Sequence, residues 1–281
     1  MSTEIFIAVL GAALLHASWN ALVKFGADRL VAISLMAIFS GIISFFGIFF
    51  VDLPALDALP WLLLSVAFHT GYCLFLSKAY EQAEFGQIYP IARGVAPLLS
   101  ALLSWLILSE IPRIMALFGA VILVSGVIMM TFDGRHGPNK LNLRAITYAL
   151  ITATFTACYT LSDGAGSRAS IEPLSYIFWL FMSNGIAMFA LLWIMHRNRV
   201  FREIRQHWHH GIIGGAMQLF AYGIVIWAMK STPIALVAAL RETSVLFAMV
   251  ISIWMLKEKP SILRLIASAI IVAGVAITKF G

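Results

Sequence analysis

Two arginines and a glutamate interrupt long apolar runs in this sequence: Arg93 in YPIARGVAPLLS, residues 89–100, and Arg241 with Glu242 in ALRETS, residues 239–244. A guanidinium favours planar, bidentate capture of a carboxylate or phosphate-type group. Two readings of the arginines are open: anchors for an anionic substrate, or partners of a buried ion pair with Glu242. Glu242 could serve either arginine. Neighbours on a helix point about 100° apart, so Glu242 and Arg241 cannot both point straight at one spot.

Polar and aromatic residues recur at one-turn spacing on other apolar runs. His16 and Asn20 share a helix face with Trp19 beside them, and His69, Tyr72 and Cys73 repeat the pattern. Tyr89 precedes Arg93 by one turn, and Gln218 pairs with Tyr222. Each alone reads as a packing residue or interface aromatic. Together they describe a cavity with polar and aromatic walls, lined by His16, Trp19, Asn20, Tyr72, Tyr89 and Tyr222 and suited to a small amphiphilic or zwitterionic solute. Proton coupling would fall to Glu242, His16 or His69, with uniport the alternative. Asp163, the other deep acid, reads as peripheral.

The elements that must hold these residues follow from composition. Of 281 residues, 61% are hydrophobic and 11% charged, and the mean hydropathy is +0.94. A soluble domain carries roughly a quarter charged residues. The chain is therefore an all-α polytopic membrane protein. Spans of about 20 apolar residues are expected at 4–24, 30–51, 59–80, 86–108, 112–131, 143–163, 173–195, 208–230, 234–256 and 260–280. The first is read as a span rather than a leader peptide. Pro112, Pro173 and Pro260 mark helix starts, where a missing N–H costs nothing. Pro90 and Pro97 are expected to break the fourth helix and free the carbonyls of Gly86 and Arg93. The longest connections are DGRHGPNKLN and HRNRVFREIRQHWHH.

The net charge of +6 does not signal nucleic acid, because the cations lie in short connections. Thirteen fall in odd-numbered connections and four in even-numbered connections and termini, with Arg93 and Arg241 inside spans. The positive-inside rule then puts the odd connections in the cytoplasm and both termini in the periplasm. Cys73 and Cys158 both lie in apolar runs and form no disulfide framework. HWHH at 207–210 reads as interfacial rather than as a metal tract. No nucleotide-binding loop, cofactor motif or metal cluster is expected; an intramembrane lipid-modifying enzyme is the alternative of a different class, and it would need a nucleophile or paired acid/base cluster that the sequence does not offer.

The chain repeats itself. At an offset of 148, Arg93 meets Arg241, Glu110 meets Glu258, Pro112 meets Pro260 and Gly126 meets Gly274. At an offset of 140, Ala13, Ala17, Trp19 and Gly26 meet Ala153, Ala157, Tyr159 and Gly166. Five helices per half force the second half to be inverted, an arrangement that supports alternating access. The expected units are 1–132, a linker at 133–142, and 143–281.

YPIARGVAPLLSALLSWLILSEIP and ALRETSVLFAMVISIWMLKEKP, with the closing run GAVILVSGVIMM, resemble the paired signature regions of EamA-type proteins in the drug/metabolite transporter superfamily. The resemblance covers essentially the whole chain. It implies ten transmembrane helices as two inverted repeats in a bacterial inner membrane, as monomer or homodimer, moving a small organic solute. Members carry amino acids, sugar phosphates, nucleotide sugars, amphiphiles or cations. Export of a metabolite is the usual expectation, and uptake of a phosphonate is the alternative. Plastid sugar-phosphate members hold phosphate with cationic residues of the corresponding fourth and ninth helices, which tilts Arg93 and Arg241 toward substrate binding. The small multidrug members place a coupling carboxylate in the first helix, and this chain has none there.

Overall fold

In a computed structural model the protein is described over residues 1–23, 29–82, 85–111, 113–129, 143–197, 200–256 and 261–280. The elements among these residues are α-helices and short 3₁₀ turns: α1 (Thr3–Val23), α2 (Arg29–Gly47), α3 (Leu59–Gln82), α4 (Phe85–Leu108), α5 (Ile114–Met129), α6 (Leu143–Ala169), α7 (Pro173–His196), α8 (Val200–Met229), α9 (Ile234–Arg241), α10 (Ser244–Leu256) and α11 (Ile262–Phe280). Among the described residues nine spans can cross a membrane by length and composition, and α5 is a further, shorter apolar helix. Large side chains such as Phe46, Leu63, Leu106, Phe118 and Ile194 are exposed around the bundle. That is the surface expected where lipid replaces water.

Three expectations change. Phe85–Leu108 runs as one helix through Pro97, so the expected break in the fourth span is absent among its described residues. The break falls in the ninth span instead. There α9 ends at Arg241 and α10 begins at Ser244. The link closes with short-range bonds, Thr243 N–H to Leu240 O at 3.1 Å and Val245 N–H to Glu242 O at 3.0 Å, while the Thr243 hydroxyl donates to Leu240 O at 2.8 Å. Neither proline nor glycine marks this site. Back-bonding by a hydroxyl gives the carbonyl a partner outside the regular ladder. The third change is in the basic connection before the eighth span, which is helical from Val200 and kinks at His207 (φ −121°, ψ 15°). Pro173 opens α7 as expected. Pro112, Pro260 and the linker 133–142 lie outside the described residues.

Packing follows the internal repeat. If α1, α2, α3, α4 and α5 correspond to α6, α7, α8, α9/α10 and α11, several of the major contacts have exchanged counterparts. Helices α3 and α6 pack together, as do α1 and α8; α4 meets α6, and α1 meets α9 and α10. The self-corresponding pairs α2·α7 and α5·α11 are in extensive contact. Glycines permit both. Gly41 and Gly185 touch across the α2–α7 crossing, Gly119 faces Gly274 and Thr278 of α11, and Gly126 faces Ala267 and Ile271 one to two turns earlier.

A methyl on Gly274 would lie 2.4 Å from the Leu123 backbone nitrogen, whereas one on Gly11 would meet nothing within 4 Å. Gly274→Ala should therefore destabilise by about 1–3 kcal/mol through overpacking. Gly11→Ala should be neutral or gain up to about 1 kcal/mol from helix propensity. Thermal unfolding of the two purified variants tests the contrast.

Candidate functional site

The repeat brings Arg93 and Arg241 together from opposed directions. Arg93 projects from the middle of α4, and Arg241 is the last residue of the half-helix α9. Both are nearly inaccessible, at 3% and 2% exposure, and Glu242 between them is at 0%. Arg93 Nε lies 2.9 Å from Glu242 Oε2, and Arg241 Nε lies 3.8 Å from Oε1. Glu242 can serve both because it sits in the link between α9 and α10, off the regular helical path. One carboxylate thus faces two guanidinium groups. The Glu242 carboxylate also lies at the amino end of α10, where the helix dipole favours negative charge. Arg93 reaches Ser244 Oγ at 3.5 Å.

An aromatic face adjoins the arginines. The Arg241 guanidinium carbon lies 5.6 Å from the Tyr222 ring centre, within cation–π range. His69 stacks on Tyr159 at 3.9 Å, and Tyr222 and Tyr72 meet Tyr159 edge-on, each at 5.7 Å. His69 Nδ1 lies 3.0 Å from the Ser65 carbonyl, one turn earlier on α3. His16 contacts Trp19 edge-on at 5.0 Å.

Other expected wall residues are engaged locally. Asn20 Nδ2 donates to the His16 carbonyl at 2.7 Å. Trp19 packs with Met36 and Ala221, and Tyr72 packs against a cluster containing Cys73 and Met188. Gln218 Oε1 is buried on α8. The Tyr89 side chain lies outside the described residues. Glu203 and His207 approach at 3.7 Å on the exposed first turns of α8. Among the described residues no three potential metal ligands gather.

Asp163 was read as peripheral from the sequence, and the structure places it in the interior, at 0% exposure. The Tyr222 hydroxyl donates to its Oδ2 at 2.6 Å and the Tyr176 hydroxyl to its Oδ1 at 3.0 Å. In sequence Asp163 stands in LSDGAG near the end of an apolar run. Its burial comes from α3, α7 and α8, which converge there from distant parts of the chain.

Beyond Asp163, helix ends at the side of the bundle bearing both termini are cross-linked by polar contacts. Arg168 pairs with Glu110 at 2.6 Å and donates to Met229 O and Thr232 O at 2.9 and 3.1 Å. Glu110 Oε2 accepts the Ile234 N–H at 3.1 Å. Lys230 donates to the carbonyls of Ser170 and Ile171, and Ser175 to Asp52 O at 2.5 Å. These contacts join the ends of α6 and α8 to the start of α9 and the link before α5.

A helical membrane bundle of two exchanged halves, with charge buried where they meet and helix ends cross-linked by polar contacts, fits the architecture of a solute carrier. The sequence matches the model of the EamA-like transporter family over residues 3–132 and 143–280, and the chain belongs to that family. It is therefore a membrane transporter of small solutes, not an enzyme. A crystal structure of another protein superposes on 100% of this chain and 99% of its own length, with a TM-score of 0.76 at 18% identity. That likeness concerns the fold. No curated protein matches the sequence.

Removing the shared carboxylate would leave two buried cations facing one another. Breaking a buried ion pair by deleting one partner costs about 3–5 kcal/mol. Glu242→Gln should lower stability by that order, and adding Arg93→Met should recover part of it. Thermal unfolding of the single and double variants in detergent checks both expectations.

Proposed function

We propose that this transporter moves a small zwitterionic or anionic organic solute, such as an amino acid or related compound, by alternating access across a bacterial inner membrane. Its working direction is export. One observation carries the reading: two buried arginines share a single glutamate. The pair retains one positive charge in excess of Glu242, adjacent to an aromatic face. An incoming carboxylate or phosphonate would complete the local charge balance and accept bidentate hydrogen bonds. Tyr222, Tyr72 and His69 would bound the solute, with His16, Trp19 and Asn20 of α1 shaping the opposite wall and Tyr89 one turn before Arg93.

Alternating access is supported by the exchanged packing of the two halves and by the discontinuous ninth span. Half-helices at a repeat interface supply dipole ends and a hinge at the site. The cross-link of helix ends at the terminal side by Glu110–Arg168 suits one of the two states such a cycle needs. The excess of cations in the odd-numbered connections orients that end toward the periplasm.

The test is a thermal-shift screen of the purified protein against amino acids, phosphonates, sugar phosphates, nucleosides and quaternary cations. Carboxylates or phosphonates should stabilise the wild type. Arg93→Lys should lose that stabilisation at least tenfold in concentration, because charge is kept but bidentate geometry is not. Stabilisation by cations that survives Arg93→Lys would reduce the arginines to structural partners. Flux in vesicles of opposite orientation then distinguishes export from uptake.

A further inference from the structure

Asp163 is a buried carboxylate that the anion-binding reading does not use. Among the described residues four charged side chains are buried: Arg93, Asp163, Arg241 and Glu242. Their formal charges cancel, although they are spread along the site. The arginines and Glu242 carry one positive charge together, and Asp163 carries one negative charge on the far side of the Tyr222 ring. Tyr222 touches both poles, its hydroxyl on Asp163 and its ring under Arg241. The repeat offers no acidic counterpart for either carboxylate. Glu242 corresponds to Gly94 at an offset of 148, and Asp163 to Val23 at an offset of 140. The acidic pole is therefore particular to the second half and is not a requirement of the repeated fold.

An isolated charge is costly in a low-dielectric interior, and such a site tends to neutralise itself by moving a proton. When an anionic group satisfies the two arginines, the buried set gains one net negative charge. The carboxylate left without a counter-charge is Asp163. We infer that Asp163 is the proton-binding site of this carrier, taking up one proton when the paired arginines take an anionic group. A proton on one Asp163 oxygen restores the balance of the set, and one hydroxyl contact rearranges from donor to acceptor. Tyrosine and serine hydroxyls can do either. The Tyr222 ring then links protonation to the position of Arg241.

The Tyr176 hydroxyl of α7 and the Tyr222 hydroxyl of α8 contact Asp163, while His69 of α3, Tyr159 of α6 and Arg241 of α9 gather around the Tyr222 ring and Ser65 of α3 holds His69. Arg93 of α4 is tied to Glu242, and Asp57, in the turn before α3, is exposed. Of these, Asp163 and His69 are the proton acceptors beside the aromatic face. Glu242 and His16 are the other candidate acceptors, and Asp163 differs from them in holding two tyrosine hydroxyl donors. The coupling rests on the anion-binding reading, but the proton site itself does not.

The experiment uses full-length protein in detergent with methanesulfonate, an anion whose own charge is constant over the working pH range. A pH-indicating dye in weakly buffered solution reads proton uptake, and infrared spectroscopy reads the protonated-carboxyl band. Binding should bring about one proton per bound anion and raise that band. Asp163→Asn should abolish both, and Asp163→Glu should retain uptake with a shifted band. Binding without uptake, or uptake that persists in Asp163→Asn, overturns the assignment and leaves the anion reading standing; His69→Gln then asks whether His69 takes the proton instead. If methanesulfonate and the carboxylate and phosphonate ligands all fail to bind, the anion reading falls. The proton site is then decided by acidifying the ligand-free protein: a reversible carboxyl band missing from Asp163→Asn supports it, and the absence of such a band overturns it. Should Asp163→Asn fail to fold, the band shift in Asp163→Glu makes the same assignment.

Discussion

The cost of holding charge in a bundle surrounded by lipid organises this protein. An arginine at the centre of a span costs roughly 2.5–3.5 kcal/mol on the insertion scale. Two are present, and neither faces lipid. Each is turned inward to the one glutamate that both can reach. That meeting needs two helices approaching from opposite sides, which is what inversion of the second half supplies. It is accompanied by a local change in the ninth span, where the backbone bonds around Glu242 and Thr243 run from i to i−3 instead of i−4. The discontinuity and the ion cluster therefore meet at Glu242.

Close approach of backbones makes this interior possible. In lipid no hydrophobic force draws helices together, so association relies on packing and on small residues at the crossings. Gly41 against Gly185, Gly119 against Gly274, and Gly126 against Ala267 and Ile271 lie on pairs that the pseudo-symmetry maps onto themselves. The α5–α11 crossing packs with Val245, close in the chain to Glu242. Helix α6, with Ala149, Ala153 and Ala157 all fully buried, packs against α3 and α4 and brings Tyr159 and Asp163 to the site.

The polar interior then divides into levels along the bundle. Arginine and glutamate occupy the first, tyrosine and histidine rings the second, Asp163 with its hydroxyl partners the third, and Glu110–Arg168 the cross-link at the terminal end. Tyr222 connects the first and third through two faces of one side chain. A change of charge at either level alters what the other must balance. The contacts of Arg168 and Lys230 fall on carbonyls at the ends of α6 and α8, so they hold helix ends rather than the ligand region itself.

Much of the architecture is a property of the sequence alone. Span number, inversion and the relation of Arg93 to Arg241 follow from local hydropathy and from residues matched at a constant offset, both of which survive without knowledge of contacts. Pro173 likewise marks its helix start, because proline's missing N–H acts locally. Tertiary structure decided what depends on several helices at once. Pro97 bends no described part of α4 enough to end it, whereas RETS, with no breaker residue, ends α9, because ionic and hydroxyl contacts there outweigh intrinsic propensity. Asn20 looks available in the sequence and is bound to its own helix. Asp163 looks peripheral and is enclosed, because its depth is set by α3, α7 and α8, whose approach no local pattern in LSDGAG records.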